Sequence, residues 1–401
     1  MNPALAPHEI WAPATRAQPS VFYARMRPLG PLFQQVDPVR QVPVWVTTRY
    51  KTALEVLKDP RFIKDERTVA PEARQSRVAE MAAINRNMLM SDPPDHTRLR
   101  TLVAKAFTPR RVEELRPRVE AVCHRLLDGL SGRSSADLID AFAFRLPVTV
   151  IAELLGVPSE DQDQFREWTT VMTVPPTAER LEALKRASRE FMAYVQKLLE
   201  ERRARPREDM LSALLAAEEQ GDRLSPEELV GMVVLLLNAG HETTVNLIGN
   251  GVWALLRHPE QLERLRKNPA LAGSAVEEIL RYRGPLDVAT HRWTREDVEY
   301  QGQVIPAGQT VFVSLMAANH DPEQFPEPER FDIAREPNRH LGFGFGIHFC
   351  VGAPLARLEA TLALPLLLER LPGLRLAVEE HELRWREGII LHGLKQLPVA
   401  W

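Results

Sequence analysis

The sequence predicts a mainly α-helical protein with a smaller β-rich part. Two observations carry this. Apolar residues recur at helical spacing from about residue 96 to 282, and again over about 352–370. Three shorter stretches, about 34–50, 298–314 and 374–399, instead alternate apolar with polar residues and break at turn residues, as strands do.

Taken in order, Met1 to Ser20 is rich in Pro and Ala and holds no long apolar run, so neither a signal peptide nor a membrane anchor is expected. Val42-Pro43-Val44-Trp45-Val46-Thr47-Thr48 alternates as a strand, and a short amphipathic helix follows from Tyr50 to Lys58. Lys64 to Met90 is polar, irregular and then Met-rich, which reads as a mobile loop. The helical region is broken near Pro109, Gly132, Pro158, Pro175-Pro176, Pro206 and Gly221. Val298 to Ser314 reads as a hairpin, with turns at Gly302 and Pro306-Ala307-Gly308. Pro322 to Pro337 is punctuated by proline and predicts no regular element. A helix over Gly352 to Arg370 and short strands over Leu374 to Val399 complete the chain. With no linker, repeat or low-complexity stretch, residues 1–401 read as one domain.

A net charge of −3 argues against nucleic acid as the main partner. Two cysteines, Cys123 and Cys350, form no disulfide framework and suit a reducing compartment. The longest apolar stretches, Met232–Leu237 and Leu362–Leu368, are far too short to span a bilayer, so a soluble cytoplasmic protein is expected.

Cys350 stands in Phe343-Gly344-Phe345-Gly346-Ile347-His348-Phe349-Cys350-Val351-Gly352, just before a helix that carries Pro354 in its first turn. Glycines let backbone approach the sulfur closely, and a helix N-terminus favours an anion and lowers a thiol pKa. A shielded thiolate is what a metal ligand needs. This loop resembles the haem-binding loop of the cytochrome P-450 family. The resemblance extends over nearly the whole chain and implies that family's fold. It implies a non-covalently held haem b, since no Cys-x-x-Cys-His is present, with Cys350 as the axial iron ligand. Phe343, Gly344 and Gly352 would form the cofactor loop. Cys123, beside His124 in an amphipathic helix, reads as core packing.

A second constellation is Ala239-Gly240-His241-Glu242-Thr243-Thr244 inside a long apolar helix, where Leu236, Gly240, Thr243 and Leu247 fall near one face. Gly and paired Thr weaken a helix interior. On the resemblance, Thr243 would hydrogen-bond dioxygen, Glu242 would relay protons and Gly240 would leave room for the gas. The plainer alternative is that Thr243 bonds back to a helix carbonyl and Glu242 is solvated.

Glu278 and Arg281, at i and i+3, share a helix face. The resemblance adds Arg330 as the third member of a structural network. It also places His96, Arg100, Arg292 and His348 on the haem propionates, which leaves His291 as an ordinary surface residue. His320 stands where the family usually has arginine, in a structural turn.

The resemblance further implies a lipophilic substrate such as a fatty acid, terpenoid, steroid or macrolide-like product. Its pocket would draw on Met88, Leu89, Val171 to Val174, Leu235, Ala239, Leu286, Val288 and Ile389, with Asn238 and Asp287 as polar anchors. No dinucleotide fingerprint is present, so electrons would come from a separate ferredoxin-type donor with its reductase. Lys105, Arg110, Arg111, Arg339 and Arg357 are candidates for its docking surface. Two other activities remain open from sequence: a peroxide-using or bond-coupling haem-thiolate enzyme, and a haem-based sensor or binding protein.

Overall fold

The computed structural model describes residues 6, 8–69, 84–105, 107–173, 180–207, 209–219 and 224–401. Parts of the Lys64–Met90 loop, Val174, Pro175-Pro176 and Gly221 lie outside them. The helices, in chain order, are α1 (Pro13–Ala17), α2 (Pro19–Met26), α3 (Tyr50–Lys58), α4 (Asp95–Ala104), α5 (Pro109–Glu114), α6 (Arg116–Asp128), α7 (Arg145–Leu155) and α8 (Gln162–Thr173). There follow α9 (Leu181–Ala204), α10 (Met210–Glu219), α11 (Pro226–Arg257), α12 (Pro259–Lys267), α13 (Ala272–Arg283), α14 (Leu315–Asn319) and α15 (Ala353–Arg370).

The strands are β1 (Leu32–Val36), β2 (Pro43–Thr47), β3 (Phe62–Ile63), β4 (Ser135–Asp137), β5 (Arg292–Thr294), β6 (Val298–Tyr300), β7 (Gln303–Ile305), β8 (Thr310–Phe312), β9 (Arg375–Leu376) and β10 (Pro398–Ala400). A five-stranded sheet runs β1-β2-β8-β5-β3. Its β2–β8 pair is parallel, with Trp45 opposite Val311, and its other pairs are antiparallel. The expected hairpin of 298–314 is therefore β6–β7 alone, while β8 joins the large sheet. In the tail, β10 pairs with both β4 and β9 in a small antiparallel sheet, and most of 374–399 is irregular. The expected strand content there is too high because only Arg375–Leu376 and Pro398–Ala400 find partner strands.

Why α11 lies at the centre follows from its sequence. Ser225 and Glu228 form a reciprocal capping box (3.2 and 2.9 Å), and Pro226 occupies the first turn, where no N–H is needed. Beyond that cap the helix is apolar nearly all round, so it must be covered on all sides. It packs on α7, α13 and α15, and most of Leu229–Leu255 is buried. Apart from Val230 near the cap, the exceptions fall together: Leu235, Asn238, Ala239, Gly240 and Thr243 keep accessible surface in the middle of the helix. Among the described residues no helix is long and apolar enough to cross a membrane.

Gly240 has a packing role that the sequence did not suggest. A Cβ there would lie 2.8 Å from Ile151 Cγ1 and 2.9 Å from its Cδ1, so the missing side chain lets α7 approach α11. Gly240→Ala should therefore lower stability by about 1–2 kcal/mol, overpacking outweighing the gain in helix propensity. Denaturant midpoints of Gly240→Ala, Ile151→Ala and the double variant check this. The double variant should be markedly less destabilised than the sum of the two.

Candidate active site

The cysteine loop turns on Gly344 and Gly346, whose φ values of 71° and 75° favour glycine. At Gly346 a Cβ would also lie 2.9 Å from the Leu57 carbonyl of α3. The Cys350 N–H donates to the Phe343 carbonyl and that of Phe349 to Gly346, each at 3.0 Å. This delivers the thiol to the first turn of α15, with Gly352 beside the sulfur, 3.9 Å from the place a Cβ would take. Burial raises the thiol above its ordinary value. The N–H groups of Gly352 and Ala353, with Arg100 and Arg357, pull it down without prevailing. The sign is thus opposite to the one expected from the helix dipole alone. Cys350 still keeps accessible surface, and coordination to a metal would reverse the sign by displacing the proton outright.

Next to this loop stands a group of basic side chains. His96 and His348 meet edge to face at 4.4 Å, and Arg100 donates to the Phe349 carbonyl at 2.6 Å. Arg292 is 3 % exposed and held by burial at about 10. Burial, then the charges of Lys64, Arg292, His96 and Arg100, depress His348 to about 2. Its Nε2 is buried without a hydrogen-bond partner. Neither ring nitrogen of His96 completes a bond of normal geometry, although the Ile347 carbonyl lies near. Lys64, absent from the sequence prediction, is fully buried and gives its ammonium to Thr290 Oγ1 (2.8 Å) and the His291 carbonyl (2.7 Å). Burial and Arg292 push it well below the usual lysine range. His291 is not a surface residue: its ring nitrogens are buried, and burial, Lys64 and two arginines suppress its charge. Asp92 is the one carboxylate acting on Lys64, Arg292 and His96, so the bases outnumber it, and a dianionic ligand would satisfy the excess.

On α11, Thr243 is half-buried and donates to the Ala239 carbonyl at 3.0 Å, which is the plainer of the two expected arrangements. Glu242 is not solvated. It is 4 % exposed and paired with Arg386 at 2.6 Å. Leu235, Ala239 and Thr243 form the accessible stripe, whereas Leu236 and Leu247 are buried. Asn238 flanks that stripe, and its buried Oδ1 has no partner. Across the α11–α15 contact, Thr244 lies beside Glu359, a fully enclosed carboxyl that burial pushes up to about 8.

Glu278 and Arg281 pair through two bonds of 2.8 Å, both side chains fully buried. The third member is Arg335, not Arg330. Arg335 reaches Glu278 at 3.2 Å and the carbonyls of Pro326, Glu327 and Arg330. Arg330 is 59 % exposed, faces Glu327 and Asp332, and offers only its carbonyl to Arg281. The resemblance pointed to an arginine five residues early.

Of the expected substrate residues, Leu235, Ala239, Leu286, Leu89 and Val171 are at least partly accessible. Val288 is wholly buried in a cluster with Phe33, Val44 and Met316, and Ile389 belongs to the same cluster, so neither lines an open pocket. Met88 is likewise buried in the main core. Asp287 cannot anchor a ligand because Arg16, the Tyr23 hydroxyl (2.8 Å) and Ser314 consume its carboxylate. Among the docking candidates Lys105, Arg110, Arg111 and Arg339 are exposed. Arg357 is committed to a bidentate pair with Glu277 (2.7 and 2.8 Å) and lies over the Phe343 ring. Lys64, Arg335, Arg386 and Glu359 carry no local motif. Only their three-dimensional partners distinguish them.

A helical body with small sheets and a glycine-turned cysteine loop at the head of a long helix defines the haem-thiolate class. Residues 22–373 match the family described as Cytochrome P-450. Cytochrome P-450 107B1 of Saccharopolyspora erythraea is 50% identical over 385 residues, covering 94% of this chain and 93% of that protein. The cytochrome P-450 monooxygenase PikC of Streptomyces venezuelae is 49% identical, covering 96% and 91%. Among solved structures, the myxobacterial cytochrome P-450 CYP267B1 in complex with myristic acid superimposes with a TM-score of 0.95 at 48% identity, covering 98% of each chain. The chain belongs to the cytochrome P-450 family of haem-thiolate monooxygenases. The unpartnered His348 and His96 nitrogens, with Lys64, Arg100 and Arg292 nearby, fit a group bearing two carboxylates.

The network geometry predicts a sharp contrast between two arginines. Arg335→Ala, which strips a donor from buried Glu278, should cost at least about 2 kcal/mol. Arg330→Ala should stay within about 0.5 kcal/mol, as for other exposed pairs. Thermal and denaturant unfolding of the two variants checks it.

Proposed function

We propose that this protein, acting as one domain over residues 1–401, binds haem b and inserts one oxygen atom from dioxygen into a lipophilic small molecule. The observation that carries the reading is Cys350 at the head of α15, beside a buried basic cluster in which the His348 Nε2 and both His96 ring nitrogens lack partners. Cys350 would hold the iron, with Phe343, Gly344 and Gly352 shaping the loop around it. His96, Arg100, Arg292 and His348 would meet the propionates. When bound, the haem supplies oxygen activation, helped by electron donation from a thiolate ligand.

The chain's own residues do the rest. Leu235, Ala239, Leu286, Leu89 and Val171 give apolar surface that orients the substrate and excludes water. Asn238 offers the polar contact. The Thr243 hydroxyl, released from the Ala239 carbonyl, can instead donate toward the cavity, and Glu242 supplies the proton it passes on. The substrate is a fatty acid, terpenoid, steroid or macrolide-like compound. Support comes from the apolar stripe and from the myristic acid bound by the structural relative. Electrons reach the site from a cytoplasmic ferredoxin-type protein, steered by Lys105, Arg110, Arg111 and Arg339 without Arg357.

Reconstitution with a surrogate ferredoxin and reductase, fed a panel of such compounds, tests the reading. The wild type should form hydroxylated or epoxidised product. Thr243→Ala should retain haem but give several-fold less product per electron pair, with peroxide making up the difference. Unchanged coupling in Thr243→Ala would remove its assigned role, and absence of product across the panel would remove the substrate class.

A further inference from the structure

Glu277 stands beside Glu278 on α13 but serves different partners. Its Oε1 accepts from Arg357 Nε at 2.7 Å. Its Oε2 accepts from Arg357 Nη2 at 2.8 Å and lies 3.0 Å from His340 Nε2. These partners come from the two segments that flank the thiol. Arg357 lies on α15, seven residues after Cys350, and His340 lies ten residues before it.

The imidazole is held at both ends. Gly342 donates its N–H to Nδ1 at 3.0 Å, so the ring proton is on Nε2 and is given to Glu277. A Cβ on Gly342 would lie 3.0 Å from that same Nδ1 and 3.1 Å from the Leu280 carbonyl of α13, so only glycine lets the chain pass this close. One carboxylate thus ties together α13, α15 and the segment that enters the cysteine loop.

The Arg357 guanidinium is brought to the loop by the same contacts. It lies 4.5 Å from the centre of the Phe343 ring, and the Phe343 carbonyl takes the Cys350 N–H at 3.0 Å. From there its charge and that of Cys350 act on each other. Glu277 supplies the opposite charge. Burial would raise its carboxyl, yet the bonds from Arg357 and His340 hold it down at about 2.

We propose that Glu277 is a positioning residue for the iron ligand: it locks Arg357 and His340 against the cysteine loop, cancels the charge that Arg357 brings toward the Cys350 sulfur, and so sets how readily the bound iron accepts an electron. The inference rests on the preceding assignment of Cys350 to the iron and names a group outside the cysteine loop that tunes it.

The sign follows from charge. Reduction adds one negative charge at the site, so an uncompensated cation nearby favours ferrous over ferric iron. The same cation draws electron density back onto the sulfur and weakens its donation to the metal. With Glu277 in place, the forked pair keeps the guanidinium fixed and its charge balanced. The electron comes from the ferredoxin-type donor, and Glu277 itself neither gains nor loses a proton.

Midpoint potentials of the haem-loaded protein test this, measured for the wild type, Glu277→Gln, Glu277→Asp, Arg357→Gln and the double variant Glu277→Gln/Arg357→Gln. Glu277→Gln should move the ferric–ferrous equilibrium toward ferrous by about three- to tenfold, about 30 to 60 mV for one electron. Its iron–sulfur stretch, read by resonance Raman, should fall. Glu277→Asp keeps the charge and should stay near the wild type. Arg357→Gln should shift the potential the opposite way, and the double variant should return close to the wild type. If Glu277→Gln does not retain haem, the opposite shift in Arg357→Gln carries the test alone. Potentials that match the wild type in both single neutral variants would overturn the proposal. So would Glu277→Asp displaced as far as Glu277→Gln, since geometry rather than charge would then be the cause. Failure of the Cys350 assignment would appear separately, as a wild type whose reduced, carbon monoxide-bound spectrum lacks the thiolate band.

Discussion

Glu278 and Arg281 are withdrawn completely from water, and a buried pair is a liability unless its remaining lone pairs and N–H groups are all engaged. Here they are. Arg281 also donates to the carbonyls of Asn319, Pro328 and Arg330. Glu278 also accepts from Arg335, Asn338 and the Asp332 N–H. One pair on α13 thereby fixes the long irregular stretch between α14 and the cysteine loop. Asn319 then takes the Leu341 N–H at 2.7 Å, and Leu341 in turn takes that of Gly344. The position of Cys350 is the far end of this chain of contacts. A run with so little regular structure has no ladder of its own, so its geometry must come from such side-chain bonds.

The site adds two further electrostatic problems, solved differently. Lys64, Arg292, His96 and His348 crowd together with their basicity suppressed by burial. That arrangement is complementary to an anionic ligand rather than to the protein itself. Glu242 is the reverse case, an acid for which the chain supplies the counter-charge from its own C-terminal loop. The first is suited to a ligand, and the second is balanced from within the chain.

Much of this was legible in the sequence. The helical body, β1–β2, α3 and the helix after Cys350 all follow from periodicity, and Gly344 and Gly346 stand at left-handed turns as the loop's composition suggests. Glu278 and Arg281 were recognisable because helix geometry alone brings i and i+3 together. What failed depended on contacts between distant segments. Arg335 rather than Arg330 completes the network because the chain turns back between them. Val288 lies in a closed core, and Asp287 is consumed by Arg16 of the N-terminal helix, 271 residues away. No spacing rule encodes these partners. The tail was overread because short alternation without a partner strand does not make a sheet.

The central claim is that Cys350 is the iron ligand. The absorption spectrum of the reduced, carbon monoxide-bound protein, recorded beside that of Cys350→Ala, tests it most directly. The account predicts a band at the long-wavelength position typical of thiolate ligation, lost in the variant. A haem-free wild type, or a variant with the same band, would contradict it.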